Sequence, residues 1–139
     1  MDSQSLICVR DVMKHGFNKV DGLDTVQSAL KKMKHMESHI LIVNKRDKHD
    51  EYGIVLLADI AKKVIAKDRS PERVNIYEIM SKPVISVRAN MDIRYCSRLF
   101  NRFGLNIAPV SDDETGELIG TVSYNDIVLK GLVDFESDS

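Results

Sequence analysis

The sequence predicts an α+β fold built from two copies of one strand–helix–strand–strand–helix unit (β-α-β-β-α). Three observations lead there. The first is an internal repeat: residues 9–65 and 76–132 align at an offset of 67 without a gap, with nine identities in 57 positions. Met13 falls on Met80, Val20 on Val87, Ile40 on Ile107, Val43 on Val110 and Gly53 on Gly120. Val55 falls on Val122, Asp59 on Asp126, Ile60 on Ile127 and Lys63 on Lys130, and other apolar positions match in kind, as Val12 does with Ile79 and Met33 with Phe100. The second is that apolar residues at helical spacing alternate with short unbroken runs of Ile, Leu and Val in each copy. The third is size. A unit of 57 residues buries only a marginal core by itself, so the two are expected to fold as one pseudo-symmetric body. Any cleft at the pseudo-axis is then expected twice.

Each element has its own signal. In the first copy, Arg10–Met13 reads as a helical turn and Phe17–Val20 as an extended segment. Asp24 with Gln27 three residues on is a capping-box pattern. It is followed by Val26, Ala29, Leu30, Met33 and Met36 at helical spacing, so the spacing predicts a helix over 25–36 with these residues inward. The methionine pair reads as core. Ile40–Val43 is an unbroken apolar run, a buried strand. Asn44–Glu51 is a polar loop, Tyr52–Leu57 the next strand, and Asp59–Ile65 a helix with Ile60, Val64 and Ile65 inward. The second copy repeats the order: Val84–Val87 extended, a helix near 92–103 burying Ile93, Cys96, Leu99, Phe100 and Phe103, strands at Ile107–Val110 and Leu118–Ser123, and a helix from Asn125 to Leu132. Asp113-Glu114-Thr115-Gly116 is a turn sequence. The expected organisation is repeat 1 over 7–66, a polar linker over 67–75 that holds Ser70-Pro71, repeat 2 over 76–133, and an acidic, frayed tail over 134–139.

Bulk properties exclude several function classes. The chain has 139 residues, 43% apolar and 29% charged, with a formal net charge of −1. That is a globular composition, and it lacks the basic excess of a dedicated nucleic-acid binder. The N-terminus has no apolar stretch suited to a signal peptide, and no run approaches the length of a membrane helix, so a cytoplasmic protein is expected. Cys8 and Cys96 do not occupy matching positions and read as free thiols. His35 and His39 have i, i+4 spacing, but the helix is expected to end between them and only Glu37 lies near, so no metal site is expected. No nucleophile elbow, P-loop or G-x-G-x-x-G occurs, so no enzyme is expected and no cofactor is required.

The arrangement resembles the CBS domain, the module named after cystathionine β-synthase, twice in tandem as in a Bateman module. The second copy carries the pattern best, with Met80, Gly104, Ala108-Pro109-Val110 and the run Gly120-Thr121-Val122-Ser123-Tyr124-Asn125-Asp126-Ile127. The first keeps Met13, Gly53 and Asp59-Ile60 but has Ile42 for the proline and Leu56 for the serine. The resemblance covers about residues 7–133. It implies two clefts that often hold adenosine derivatives, hence a regulatory ligand-sensing module for an AMP-, ADP- or ATP-like ligand. The alternative is a structural dimerisation module with vestigial clefts.

Ser123-x-x-Asp126 has two uses. It is an [ST]-x-x-[DE] capping box. Equally, a hydroxyl and free N–H groups at a helix start suit a phosphate, and an ionised carboxylate accepts from both hydroxyls of a ribose. What the resemblance implies for the Asp126 cleft is a wall of Phe17, Asn18, Ser38 and His39, joined by Asn106, Thr121 and Ser123. For a second, weaker cleft it implies Asp59 with Ile54, Val84, Ile85 and Leu105. Leu56 can neither cap nor touch phosphate, so the Asp126 cleft is expected to be the better one. Lys14 and Lys82 are near enough in sequence to neutralise a phosphate. A homodimer is the family expectation, with the helices at 59–65 and 125–132 as the candidate face, and the regulated partner is a separate protein; neither membrane nor nucleic acid is expected as a partner.

Overall fold

A computed structural model describes residues 6–82 and 84–134; the acidic tail beyond them lies outside the described residues. In chain order the elements are α1 (Val9–Val12), β1 (Lys14–His15), β2 (Asn18–Val20), α2 (Val26–Lys31), β3 (Ile40–Val43), β4 (Gly53–Leu56) and α3 (Leu57–Lys63), then β5 (Val87–Arg88), α4 (Ile93–Phe103), β6 (Ile107–Ser111), β7 (Leu118–Ser123) and α5 (Tyr124–Val128). A 3-10 turn at Ile65–Lys67 follows α3, another at Ile76–Glu78 stands at the position matching α1, and a π-helical turn at Leu129–Asp134 follows α5. Strand, helix, strand, strand, helix recurs as expected, in a mixed α/β architecture with two sheets.

The chain divides into two compact units, and these are not the two repeats. One is Phe17–Val84; the other joins the residues up to Gly16 with those from Ile85 onward. The short segment before each repeat's first strand therefore belongs with the other repeat. Lys14 and His15 pair antiparallel with Thr121 and Gly120, and the matching Ser81 bridges Ile54.

In the unit Phe17–Val84 the sheet order is β2-β3-β4, with β2 parallel and β4 antiparallel to β3. All four residues of β3 are buried, as an unbroken apolar run requires. Leu41 and Val43 join Val20, Val26, Ala29, Val55, Ile60, Val64 and Ile76 in the core. The helix start is one residue later than its sequence pattern suggests: Thr25 caps α2, its hydroxyl taking the N–H of Ser28 at 3.1 Å. Asp24 instead meets Lys32 at 3.3 Å. The helix also ends early, at Lys31, so Met36 lies beyond it and is exposed, while Met33 packs on the core. Ile65, expected inward, is exposed because α3 gives way to the 3-10 turn and its side-chain periodicity shifts.

In the other unit the sheet order is β1-β7-β6-β5. Asp92 caps α4 through the N–H of Arg94 at 2.8 Å, and Gly104 closes it in the left-handed conformation at φ 66°. Ile93, Cys96 and Phe100 are buried at i, i+3 and i+7, whereas Phe103, expected in the core, is exposed at the last turn. Of the expected extended segment Val84–Val87 only Val87 is paired as a strand, which continues into Arg88. Phe100 meets Tyr124 edge-on, centroids 5.3 Å apart, tying α4 to the start of α5. Gly120 is required here: a Cβ at that position would run into the Lys14 carbonyl and the Met13 side chain, so only glycine lets β1 lie on β7. Among the described residues no helix is long and apolar enough to cross a membrane.

Candidate functional site

The unit that joins the residues up to Gly16 with those from Ile85 onward gathers Lys14, Asn106, Thr121, Ser123 and Asp126 at one end of its sheet. Thr121 is buried in β7, paired with Lys14 of β1 on one side and Pro109 of β6 on the other. Asn106, just before β6, is exposed, and its carbonyl accepts the N–H of Tyr124 at 3.1 Å. That bond pins the first residue of α5 to the start of the middle strand.

Ser123 ends β7 and caps α5. Its backbone N–H donates to Asp126 Oδ2 at 2.9 Å, and its hydroxyl accepts the Asp126 N–H at 3.2 Å. The hydroxyl also lies 3.0 Å from Asp126 Oδ2. The capping box is therefore formed. Asp126 is buried, at 4% exposure. A buried carboxylate needs partners for both oxygens. Oδ2 is occupied by the cap, and Oδ1 faces the Lys14 ammonium at 3.8 Å. Lys14 itself is about half exposed. A helix start, a carboxylate oxygen outside the cap and a solvent-reaching ammonium thus converge on one spot. Chemically, this set can accept from hydroxyls at Oδ1 and hold an anion at Lys14.

The unit Phe17–Val84 repeats the frame and lacks the cap. Leu57 N–H donates to the His39 carbonyl at 3.0 Å, the counterpart of Tyr124 on Asn106. Leu56 stands where Ser123 does and provides no side-chain cap to α3. Asp59 is half-buried in the first turn of α3, and Ile54 is half-buried in β4. Val84, half-buried, donates its N–H to the Tyr52 carbonyl at 3.2 Å. Ile85 is exposed and Leu105 packs on the core of the other unit.

The expected wall residues of this unit differ in what they have left to offer. Phe17 and Asn18 line a cleft of about 310 Å³ that also takes in Lys34 and His35. Asn18 is buried, and its amide is largely occupied: Oδ1 accepts the N–H groups of Lys34 and His35, both at 2.9 Å, and Nδ2 donates to the His35 carbonyl at 3.0 Å. It pins the turn after α2, and among the described residues Nδ2 makes one donation of the two it can make. The buried Ser38 hydroxyl donates to the Ile40 carbonyl at 3.3 Å. His39 is exposed. Lys82, considered above as a phosphate neighbour, is held on Asp50 at 2.7 Å.

Sequence reasoning missed the Asp50 cluster. Lys82 and Arg46 both hold this carboxylate, Arg46 through Nε at 3.1 Å and through its backbone N–H at 2.8 Å. These hydrogen bonds, Lys82 first, hold Asp50 well below the usual carboxylate range. The signal was weak because Lys82 is 32 residues away. Among the described residues no group of three or more His, Cys, Asp or Glu side chains is placed to hold a metal ion.

This geometry matches a known family. The family model for the CBS domain matches residues 9–66 and again 76–131. The chain belongs to the CBS-domain family, with two CBS domains in tandem. An uncharacterised protein of Methanopyrus kandleri is 34% identical over 103 residues, 74% of this chain and 51% of that protein. The chain spans about half the length of the curated relatives it matches. Among solved structures, a hexameric CBS-CP12 protein from bloom-forming cyanobacteria is 34% identical, with a TM-score of 0.82 over 90% of this chain and 68% of that one. A CBS domain pair solved with 5′-methylthioadenosine and S-adenosyl-L-methionine shares the fold at a TM-score of 0.72 and 21% identity, covering 96% of this chain and 99% of that one.

Proposed function

We propose that this chain is a regulatory module that senses an adenosine-containing small molecule, with Asp126 as the ribose acceptor and Ser123, Thr121 and Lys14 around the phosphate or its equivalent. The observation that carries this reading is the divided carboxylate of Asp126: one oxygen is consumed by the helix cap, and the other points at an ammonium that reaches solvent. The cap itself uses only the first, and the second is paired with a group that a ligand can reach. Family membership supports the ligand class, as does the related pair that binds two adenosine derivatives. Asp59 has no capping serine beside it, so its site is the weaker. The ligand acts by favouring one pose of the module, and the shift is bounded by its differential affinity for the poses. No cofactor or catalytic step is invoked. The proposed location is the cytoplasm.

The test is a thermal-shift and calorimetry panel of AMP, ADP, ATP, S-adenosylmethionine and cyclic dinucleotides on the wild type, Asp126→Ala and Asp59→Ala. A ligand at 100 times its Kd adds about 2.7 kcal/mol of stability. Stabilisation lost in Asp126→Ala and kept in Asp59→Ala is the expected result. No shift with any ligand sinks the proposal.

A second reading, a structural self-association module, is favoured by one observation. Val128, Leu129 and Leu132 are all exposed along α5 and the turn that follows it. Three adjacent large apolar side chains on a surface mark an interaction site. We propose that this face mediates homodimerisation whether or not the ligand site is occupied. Sedimentation of Leu129→Asp tests it, with a shift toward monomer expected.

A further inference from the structure

The two repeats differ in residue type at the ends of their parallel strands, and in one of them these ends border a cleft. In the unit Phe17–Val84 a cleft of about 730 Å³ lies beyond the carboxyl ends of β2 and β3. Its apolar wall is Leu23, Val43, Tyr77 and Met80, and its basic wall includes Lys45 and Arg46. The volume falls in the range of small-molecule sites, about 300–1,000 Å³. Leu23 is 82% exposed and Tyr77 51% exposed. Both are large apolar side chains left on the surface of this unit, and both face the same concavity.

At the matching place in the other unit the side chains differ. Gly22 is replaced by Ala89, Leu23 by Asn90, Arg46 by Asp113 and Tyr77 by Arg10. The Arg10 guanidinium meets Asp113 at 3.3 Å, and the same carboxylate accepts the Asn90 N–H at 3.1 Å. That pair straps the strand ends together. In the unit Phe17–Val84 neither member of the strap exists, and Arg46 turns to Asp50 instead. Gly22 leaves the floor open: a Cβ there would sit 3.5 Å from Tyr77 and 3.7 Å from Val43, in ordinary contact.

Charge selects the ligand class. On the basic wall Arg46 and Lys82 share one carboxylate, Asp50, and Lys45 lies over the Tyr52 ring, 4.9 Å from its centroid. Counting the lining and the groups paired to it, four cations (Lys32, Lys45, Arg46 and Lys82) stand against three carboxylates (Asp21, Asp24 and Asp50), an excess of one positive charge that lies on this wall. On the opposite rim Asp21 accepts from Asn44 at 3.1 Å and Asp24 is paired with Lys32 at 3.3 Å. We infer that this cleft is a second ligand site, independent of Asp126, for a small molecule with a planar apolar ring and one anionic group. The ring packs on Tyr77 and Leu23, and the anion faces Lys45 and Arg46.

The probe is 2-naphthoate, with 2-naphthylmethylamine as its cationic counterpart, followed in amide NMR spectra of the whole chain. Expected is saturable binding with a Kd of about 1 mM or tighter, with shifts at Gly22, Leu23, Lys45 and Tyr77. The cation binds at least tenfold more weakly. The double variant Tyr77→Arg with Arg46→Asp rebuilds the strap of the other unit and weakens naphthoate at least tenfold. Tyr77→Ala, which removes only the wall, weakens it at least fivefold and decides the matter if the double variant does not fold. Shifts confined to 128–132, equal binding of the cation, or full affinity in Tyr77→Ala would overturn the inference. None of these outcomes depends on adenosine binding at Asp126.

Discussion

Ser123 and Asp126 cap each other: the aspartate carboxylate takes the serine N–H at 2.9 Å and the serine hydroxyl takes the aspartate N–H at 3.2 Å. The two residues are nevertheless not equivalent. Ser123 serves the helix start, whereas Asp126 also presents Oδ1 toward Lys14. Ser123→Ala is expected to lower stability by about 1 kcal/mol, the usual loss for a removed cap, and to change adenosine-ligand affinity less than tenfold. Asp126→Ala loses similar stability and abolishes the ligand's stabilising effect. Urea unfolding with and without ligand separates the two.

Gly120 and Gly53 occupy matching positions but not matching surroundings. A Cβ on Gly120 strikes the Lys14 backbone, which is held in the sheet by β7. A Cβ on Gly53 comes to 3.0 Å from the Met80 sulfur and 3.3 Å from the Ser81 carbonyl. The thioether end can swing away; the strand backbone cannot. Gly120→Ala is expected to lose about 3 kcal/mol, at the upper end of overpacking costs, and Gly53→Ala less than half of that. Equal losses in denaturant melts would mean that β1 yields more easily than its pairing suggests.

What the sequence made legible was the periodic part. The strands at Ile40–Val43 and Leu118–Ser123 sit where apolar runs place them, and the Ser123–Asp126 box formed as its spacing predicts. The misread cap at Asp24 is instructive. Thr25 falls on Asp92 at the offset of 67, and both are the observed caps, so the repeat itself held the better signal. Met36 and Phe103 read as core because periodicity does not reveal where a helix runs out. The exchange of Lys14–His15 onto β7 was not legible. Pairing partners are set by tertiary contact, and an offset between copies does not say which copy a strand will join. The Tyr77 cleft was hidden for the same reason, since its lining comes from three segments distant in sequence and adjacent in space.

Acid should destabilise the fold through identifiable carboxylates. Hydrogen bonds from Lys82 and Arg46 depress Asp50; backbone N–H groups of Thr115 and Glu114 depress Asp112; the Asn75 N–H and Arg69 depress Glu78; Arg94 depresses Asp92. Each has a folded pKa below its unfolded value of about 4. Their stabilisation is therefore complete above about pH 5 and is lost as pH falls through 4 toward the folded values. The melting temperature is expected to be flat from pH 8 to 5 and to drop below pH 4. Asp50→Asn should melt lower at pH 7 and show a shallower acid slope. A parallel slope would remove Asp50 from the set.

Cys96 offers a probe of core opening. It is fully buried in α4, and burial pushes its thiol up to about 11. At pH 8 about one molecule in a thousand then carries the thiolate that reacts, and a reagent must also reach it. Cys8 is only half-buried. With an aromatic disulfide reagent at pH 8, one fast thiol is expected from Cys8 and one slow thiol from Cys96. The slow phase should report the opening of the core, accelerating with urea. Ala29 stands at the matching position of the other unit, equally buried. Cys96→Ala is therefore compatible with this helix-on-sheet packing and should lose only about 1 kcal/mol for the small volume removed. It should erase the slow phase and leave the fast one. If the fast phase disappears instead, the accessible thiol is Cys96, and the packing of α4 against the sheet is looser than its burial indicates.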